Sequence, residues 1–309
     1  MISYQNKNVH CKIPNLIKWA GGKNNLVEIL MKYVPQEFET YYEPFFGGGA
    51  MFWNLKIRGK LNESVISDLN SELIKFLKVV RDRFTDLYDE LCNYADIRGS
   101  DQYYRIRDLF NSLKKDSNRN TEIAAMFLYL NRNSYNGLWR TNKKGDFNVP
   151  YGFYKKYYTP SLDDLMFYSN LLQGTKILNT DFSNSLKYCK QGDFVYLDPP
   201  YYNERVYGFT KYYRDNFTVS GHKLLKETTD RLTSKGALVM ESNYDTILVR
   251  NLYANYTKVT IEARHNISCK PSSRMNFREL IITNFNLTPQ VDQHQRTCRI
   301  GESRFSENL

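Results

Sequence analysis

Residues 194–201 read Phe194-Val195-Tyr196-Leu197-Asp198-Pro199-Pro200-Tyr201. An apolar strand runs straight into an acid and two prolines, at the carboxyl end where α/β sheets place their sites. The prolines make a stiff, extended turn that cannot continue the ladder, which leaves Asp198 and the Pro199 carbonyl aimed outward in fixed geometry. Such a pair can accept both hydrogens of an exocyclic amino group, and Tyr201 offers a face on which a base stacks. The competing reading is structural: a rigid strand exit capped by an acid.

Working outward, the same strand, turn and helix rhythm recurs. Thr40 to Glu43 form an extended aromatic stretch, followed by Pro44-Phe45-Phe46-Gly47-Gly48-Gly49 and a helix-forming run from Ala50 to Lys56. Glycines there let backbone approach a ligand closely, although alone the loop is equally an ordinary tight turn. Phe52 stands where a dinucleotide fingerprint needs its last glycine, and no phosphate-binding GK[ST] ending follows. A second strand, Ser64 to Ser67, ends in Asp68, about twenty residues past the glycines, where an acid commonly holds ribose hydroxyls. Loop and acid together describe a nucleoside-type cofactor without a pyrophosphate. Asp68-Leu69-Asn70 leads into an amphipathic helical run from Ser71 to Leu91. Further strands are expected at Lys176 to Leu178, Ala237 to Glu241, Lys258 to Ala263 and Glu279 to Asn284. Near the start, Lys18-Trp19-Ala20-Gly21-Gly22-Lys23 is either a basic turn before a helix or a site where Trp19 stacks on an adenine ring and Lys23 meets a carboxylate.

Between these strands the rhythm changes. From about Phe76 to Thr159 the chain is charged and helical, then turns at Lys144-Gly145 as a hairpin would. The expected organisation is a discontinuous core at 1–75 and 160–286, an inserted domain at 76–159, and a polar tail at 287–309 with no assigned role.

With 309 residues, 41% of them hydrophobic, the chain can bury a real core, which excludes disorder throughout. Its 43 Lys and Arg against 33 Asp and Glu leave a formal charge of +10, suited to a polyanionic partner. A solvated basic surface is the bland alternative. The cysteines Cys11, Cys92, Cys189, Cys269 and Cys298 show no metal-ligand spacing and read as reduced thiols of a cytosolic protein. The N-terminus lacks the apolar core of a signal peptide, and Ala124 to Leu130 is too short to cross a bilayer.

In the order KWAGGK, EPFFGGG, SDLN, insertion and DPPY, the chain resembles the Dam family of N6-adenine DNA methyltransferases, the alpha group of the D12 class. The resemblance runs from about Leu16 to Asn284. It includes Asn131-Arg132-Asn133-Ser134-Tyr135-Asn136-Gly137-Leu138-Trp139-Arg140 and Phe147-Asn148-Val149-Pro150-Tyr151-Gly152 within the insertion. It continues in Phe209-Thr210-Lys211-Tyr212-Tyr213 and Phe217-Thr218 after DPPY. It implies a split, Rossmann-like α/β core that uses S-adenosylmethionine, with an inserted, mainly helical target-recognition domain carrying a β-hairpin. The implied reaction is methyl transfer to adenine N6 in duplex DNA, at GATC, on a base flipped out of the helix.

Residue by residue, the resemblance puts Trp19, Lys23, Phe45, Gly47, Gly49, Asp68, Asp181 and Asp198 around the cofactor. Asp198, Pro199, Pro200 and Tyr201 form the catalytic segment. Tyr135 would enter the duplex beside the flipped base, Asn136 would meet the orphaned partner, and Arg140 would reach a guanine edge. Lys18, Leu138 and Pro150 match further DNA-contacting positions. No metal is needed, because the sulfonium already makes the methyl electrophilic. The partner is double-stranded DNA, with no membrane, for a monomer or weak dimer in the cytoplasm of a bacterial or phage-infected cell, at the nucleoid. Three adjacent glycines and the tail depart from the family pattern. Two other classes fit less well: RNA-base or protein-glutamine methylating enzymes, which typically carry Asn before the first proline, and a DNA-binding protein that has lost catalysis, against which intact Lys23, Asp68 and Asp198 argue.

Overall fold

The computed structural model describes residues 16–155, 158–202, 217–263 and 277–286. Among them seven strands are found: β1 (Thr40–Glu43), β2 (Glu63–Asp68), β3 (Thr175–Asn179), β4 (Phe194–Leu197), β5 (Leu238–Tyr244), β6 (Thr257–Ala263) and β7 (Phe277–Thr283). The helices of the described residues are α1 (Val27–Met31), α2 (Ala50–Ile57), α3 (Ser71–Asp82), α4 (Phe84–Cys92), α5 (Ser100–Leu113), α6 (Asn120–Asn133), α7 (Leu162–Leu172), α8 (Phe182–Ser185), α9 (Val219–Ser234) and α10 (Ile247–Leu252). The expected segment Phe209 to Tyr213, the tail 287–309 and Cys11, Cys269 and Cys298 lie outside the described residues. Cys92 and Cys189 are free thiols. No helix among the described residues is long and apolar enough to cross a membrane.

The strands form one sheet in the order β3-β2-β1-β4-β5-β7-β6. The first five are parallel, and β7 inserts antiparallel between β5 and β6. All four residues of β4 are buried, which is why its sequence shows no polar alternation: a central parallel strand is covered on both faces. Val195 and Leu197 pack with Leu225 and Leu232 of α9 and Val239 of β5, each such side chain contributing roughly 1.5–3 kcal/mol by leaving water. From β1 the chain builds outward through β2 and β3, then returns to β4 on the opposite flank of β1. The strand order therefore reverses between β1 and β4, and a doubly wound sheet opens its crevice at the carboxyl ends of that pair. Glu43 and Asp198 stand at those two ends.

The chain divides into two compact units. The larger takes Gly22–Ile74 and the residues from Gly174 onward, with the whole sheet. The smaller takes the stretch up to Gly21 and Lys75–Gln173, so α3 crosses from one to the other. Its upper limit lies beyond the expected 159 because α7 packs against α4, and Ser169 Oγ and Gln173 Nε2 both donate to the Arg81 carbonyl, at 2.8 and 3.0 Å. Leu16 to Gly21 belongs to it as well: the Asn131 carboxamide accepts from the Lys18 N–H at 2.8 Å and donates to the Lys18 carbonyl at 2.7 Å.

Within the smaller unit α6 is buried along nearly its whole length, which accounts for the apolar run at Ala124 to Leu130. Trp139 joins that core, its ring 4.3 Å from Phe127 and 4.4 Å from Phe147. One expectation is corrected here. The run from Ser71 to Leu91 is two helices, because Arg83 leaves helical geometry at φ −144°, ψ 40°. The expected hairpin at Lys144-Gly145 is present and short: an antiparallel bridge joins Thr141 to Phe147, flanked by Asn142 N–H to the Asp146 carbonyl at 2.8 Å and Asn148 N–H to the Arg140 carbonyl at 3.1 Å, with a separate bridge from Ser134 to Tyr151. Side chains of α5 take backbone groups that the cross-turn bonds leave open: Asn111 donates to the Phe147 carbonyl at 3.0 Å and accepts its N–H at 2.8 Å, and Tyr103 Oη donates to the Val149 carbonyl at 2.9 Å.

Candidate active site

Asp198 is the first residue past β4, and its Oδ1 lies 3.0 Å from Nζ of Lys23. Lys23 opens a short 3-10 turn (Lys23–Asn25) and is 5% exposed, whereas Asp198 keeps 19% of its side chain open. Burial holds the Asp198 carboxyl above the ordinary carboxylate range, the Lys23 ammonium opposes this, and Glu279 adds to it. A charge taken out of water persists only when paired, so the ammonium is what permits an ionised acid here. Pro199 is buried and Pro200 exposed, as a stiff exit from the sheet requires. Tyr201 donates its hydroxyl to Glu279 Oε2 at 2.9 Å, meets Tyr244 edge-on at 4.6 Å, and carries Lys23 Nζ 4.3 Å from its ring centroid. Its ring is thus fixed on several sides, more anchored than an open stacking face.

The glycine loop lies at the neighbouring strand end. Gly47 (φ 48°) and Gly49 (φ 66°) are left-handed, and a Cβ on Gly49 would stand 2.3 Å from the Phe46 ring, so only glycine fits. The Gly47 N–H donates to Asp68 Oδ2, and Asp68 Oδ1 accepts from Asn70 N–H, both at 2.9 Å. Each oxygen retains a lone pair for a hydroxyl. Burial raises the Asp68 pKa against these backbone bonds. Phe45, half-buried, stacks on Phe182 at 5.4 Å and meets Phe217 edge-on at 5.6 Å. Asp181 does something else: it caps α8, Oδ1 accepting from Ser183 and Asn184 N–H and Oδ2 from Asn184 Nδ2. Its carboxylate is engaged by the cap of α8.

In the smaller unit Tyr135, Asn136, Arg140 and Pro150 are all exposed. Tyr135 N–H donates to the Pro150 carbonyl at 2.8 Å, which joins the two loops that carry them. Asn136 (φ 54°) and Gly137 (φ 62°) turn the chain left-handed, and a Cβ on Gly137 would collide with the Lys18 side chain at 2.4 Å. Leu138 is half-buried. Arg140 Nε donates to Asn148 Oδ1 at 2.8 Å. Lys18 is the exception among the residues expected at DNA. Its Nζ donates to the Arg132 carbonyl at 2.8 Å and lies 3.4 Å from the Tyr154 ring centroid, and burial with the Arg132 charge brings its pKa down to about 8. Trp19 is half-buried in this unit, on the other side of the division at Gly21 from Lys23.

The family model of the D12 class N6 adenine-specific DNA methyltransferases matches residues 19–267. The chain belongs to that family. It is 34% identical over 274 residues to the type II methyltransferase M1.LlaDCHI of Lactococcus lactis subsp. cremoris, covering 87% of this chain and 94% of the relative. It is also 34% identical over 289 residues to the type II methyltransferase M.MjaIII of Methanocaldococcus jannaschii, covering 89% and 100%. Against the DNA adenine methylase of Escherichia coli K12 the identity is 32% over 269 residues, covering 86% and 93%. This D12 chain is an adenine-specific DNA methyltransferase with S-adenosylmethionine as methyl donor and DNA as substrate.

The larger unit fits that donor chemically, with a half-buried acid beside side-chain-free loop residues and a paired aromatic slot. Several buried acids and rings around these strand ends were not among the expected site residues. Glu43 is buried, accepts from Tyr41 Oη at 2.8 Å and Phe52 N–H at 3.1 Å through Oε2, and is pushed up to about 8 by burial. An acid closing an aromatic strand just before Pro44 was its one visible mark. Glu279 and Tyr244 come from strands with no motif, as does Glu241, which burial pushes up to about 7 while Tyr253 and Asn243 donate to it.

Proposed function

We propose that this enzyme methylates the adenine of GATC in duplex DNA after turning that base out of the helix, with the larger unit as catalytic core and the smaller as target-recognition domain. The observation that carries the reading is the Lys23–Asp198 ion pair one residue beyond β4, at the reversal of strand order and in front of two prolines. Asp198 and the Pro199 carbonyl accept the two N6 hydrogens, drawing the nitrogen lone pair out of conjugation with the ring. Lys23 keeps the carboxylate ionised against its burial. Pro200 stiffens the exit, and Tyr201, anchored by Glu279, borders the adenine. When bound, S-adenosylmethionine supplies a methyl group that its sulfonium makes electrophilic. Asp68 would hold the ribose hydroxyls, Phe45 the adenine ring, and Gly47 and Gly49 the close backbone approach, while the family resemblance adds Trp19.

Flipping is physically required, since N6 of a stacked, paired adenine cannot meet a methyl in line. Tyr135 fills the space left in the duplex, Asn136 meets the orphaned partner, Arg140 reads guanine, and Leu138 and Pro150 contact a thymine methyl. Lys18 supports this loop from behind, through Tyr154 and Arg132. One copy acts per site, inside the cell where the DNA lies. Labelled-methyl transfer to duplexes carrying GATC, single-base variants of it, and pre-methylated GATC tests the reading. Transfer to unmodified GATC alone is expected; equal transfer to the single-base variants would remove the specificity.

A further inference from the structure

We propose that Asn148 is a specificity-determining positioning residue, which sets the plane in which the Arg140 guanidinium meets a base. The inference rests on Arg140 as the guanine reader. Arg140 and Asn148 face each other across the turn, and the Asn148 N–H donates to the Arg140 carbonyl at 3.1 Å. Above that backbone bond, Asn148 Oδ1 accepts from Arg140 Nε at 2.8 Å.

Arg140 is exposed, whereas Asn148 is half-buried and follows Phe147, whose N–H and carbonyl are both held by Asn111 of α5. Farther along the same turn Lys114, at the end of α5, pairs with Asp146 at 3.1 Å. The carboxamide is therefore an acceptor fixed to the helical body, and the arginine is a mobile side chain fixed to the carboxamide. With Nε on the carboxamide and one Nη2 hydrogen directed at the Asn148 carbonyl at 3.5 Å, the Nη1 hydrogens and the other Nη2 hydrogen are left as the end-on fork. That edge matches the paired acceptors O6 and N7 of guanine in the major groove. An arginine released from this anchor can instead meet phosphate oxygens, which are the same at every sequence. Asn148 thus converts a basic side chain into a base-reading one without touching the base.

The test compares wild type with Arg140→Ala, Asn148→Ala and Asn148→Asp on two duplexes, GATC and the same site with guanine replaced by adenine. The readout is the ratio of kcat/KM between them, with kcat on GATC followed separately. Asn148→Ala is expected to lower the ratio about tenfold, within the discrimination that one bidentate pair provides, while kcat on GATC stays within about twofold. Asn148→Asp keeps the acceptor and so keeps the ratio, even though its added charge weakens binding to both duplexes. A full ratio in Asn148→Ala, with a lost one in Arg140→Ala, overturns the role of Asn148 and leaves the guanine reading standing. A full ratio in Arg140→Ala overturns that reading itself. Loss in Asn148→Asp as well as Asn148→Ala would mean that accepting from Nε is not what the amide does.

Discussion

In the proposed mechanism Asp198 does two jobs that conflict: it must sit where water is scarce and it must stay charged. Lys23, 3.0 Å away, resolves the conflict, and both residues follow from short motifs far apart in the chain. Replacing the acid should leave the fold intact, because Asp198 ends a strand and builds no core. Asp198→Ala is expected to slow methyl transfer on the order of a hundred- to a thousandfold, the range seen when one preorganised polar group is removed from an active site, with DNA affinity changed little. Single-turnover transfer and gel-shift titration check this, and near-normal transfer would take Asp198 out of the mechanism. The pH dependence has a definite sign. Burial raises the Asp198 pKa, and in the proposed mechanism its ionised form is the strong acceptor for the N6 hydrogen it faces, so transfer should be lost as pH falls through a value above the ordinary carboxylate range. Since the Lys23 ammonium works against that rise, Lys23→Met should move the acid limb of the pH–rate profile to higher pH. A limb that stays in place or moves down would show that the ion pair does not govern the carboxylate.

At the scale of elements, β1, its glycine loop and α2 form one device, with Glu43 buried between the strand and the first turn of the helix. Its pKa of about 8 lies above the ordinary 4.5. The folded state therefore binds a proton that the unfolded state has released, and stability contributed by the protonated acid is lost as pH rises from about 4.5 to about 8. Glu43→Gln can still accept from Tyr41 and Phe52 but does not titrate. Its melting temperature should match wild type near pH 4.5 and exceed it at pH 8, by thermal denaturation across that range; parallel curves would contradict a buried protonated Glu43. Elements of this kind differ in how legible they are. The limits of β4 can be read directly, because an unbroken apolar run stops at an acid and two prolines. The break at Arg83 cannot, since neither glycine nor proline marks it. The hairpin is legible from its turn residues, whereas its anchoring is not: Asn111 and Tyr103 of α5, distant in sequence, hold the backbone groups that the cross-turn bonds leave open. That Asp68 and the glycine loop meet, through the Gly47 N–H, follows from their places at neighbouring strand ends, whereas Glu279 and Tyr244 reach Tyr201 only through the order of strands in the sheet. Asp181 fits a motif equally well as a helix cap, and three hydrogen bonds favour the cap.

For the molecule as a whole, a formal charge of +10 meets a polyanion. Each phosphate neutralised releases condensed counterions, so affinity for nonspecific duplex should fall steeply with salt, by roughly 10³-fold or more between 50 and 200 mM if about six phosphates are contacted. Fluorescence-anisotropy titrations over that range check the slope, and a flat dependence would contradict a basic DNA-facing surface. The central claim joins both scales: a D12 enzyme whose Asp198 presents adenine N6 for methylation at GATC. Its most direct test is to express wild type and Asp198→Ala in a host lacking adenine methylation and to map N6-methyladenine across the genome by single-molecule sequencing. The account predicts modification at the second base of GATC with the wild type and essentially none with the variant. Modified adenines in the variant at wild-type density, or a wild type that modifies another motif, would contradict it.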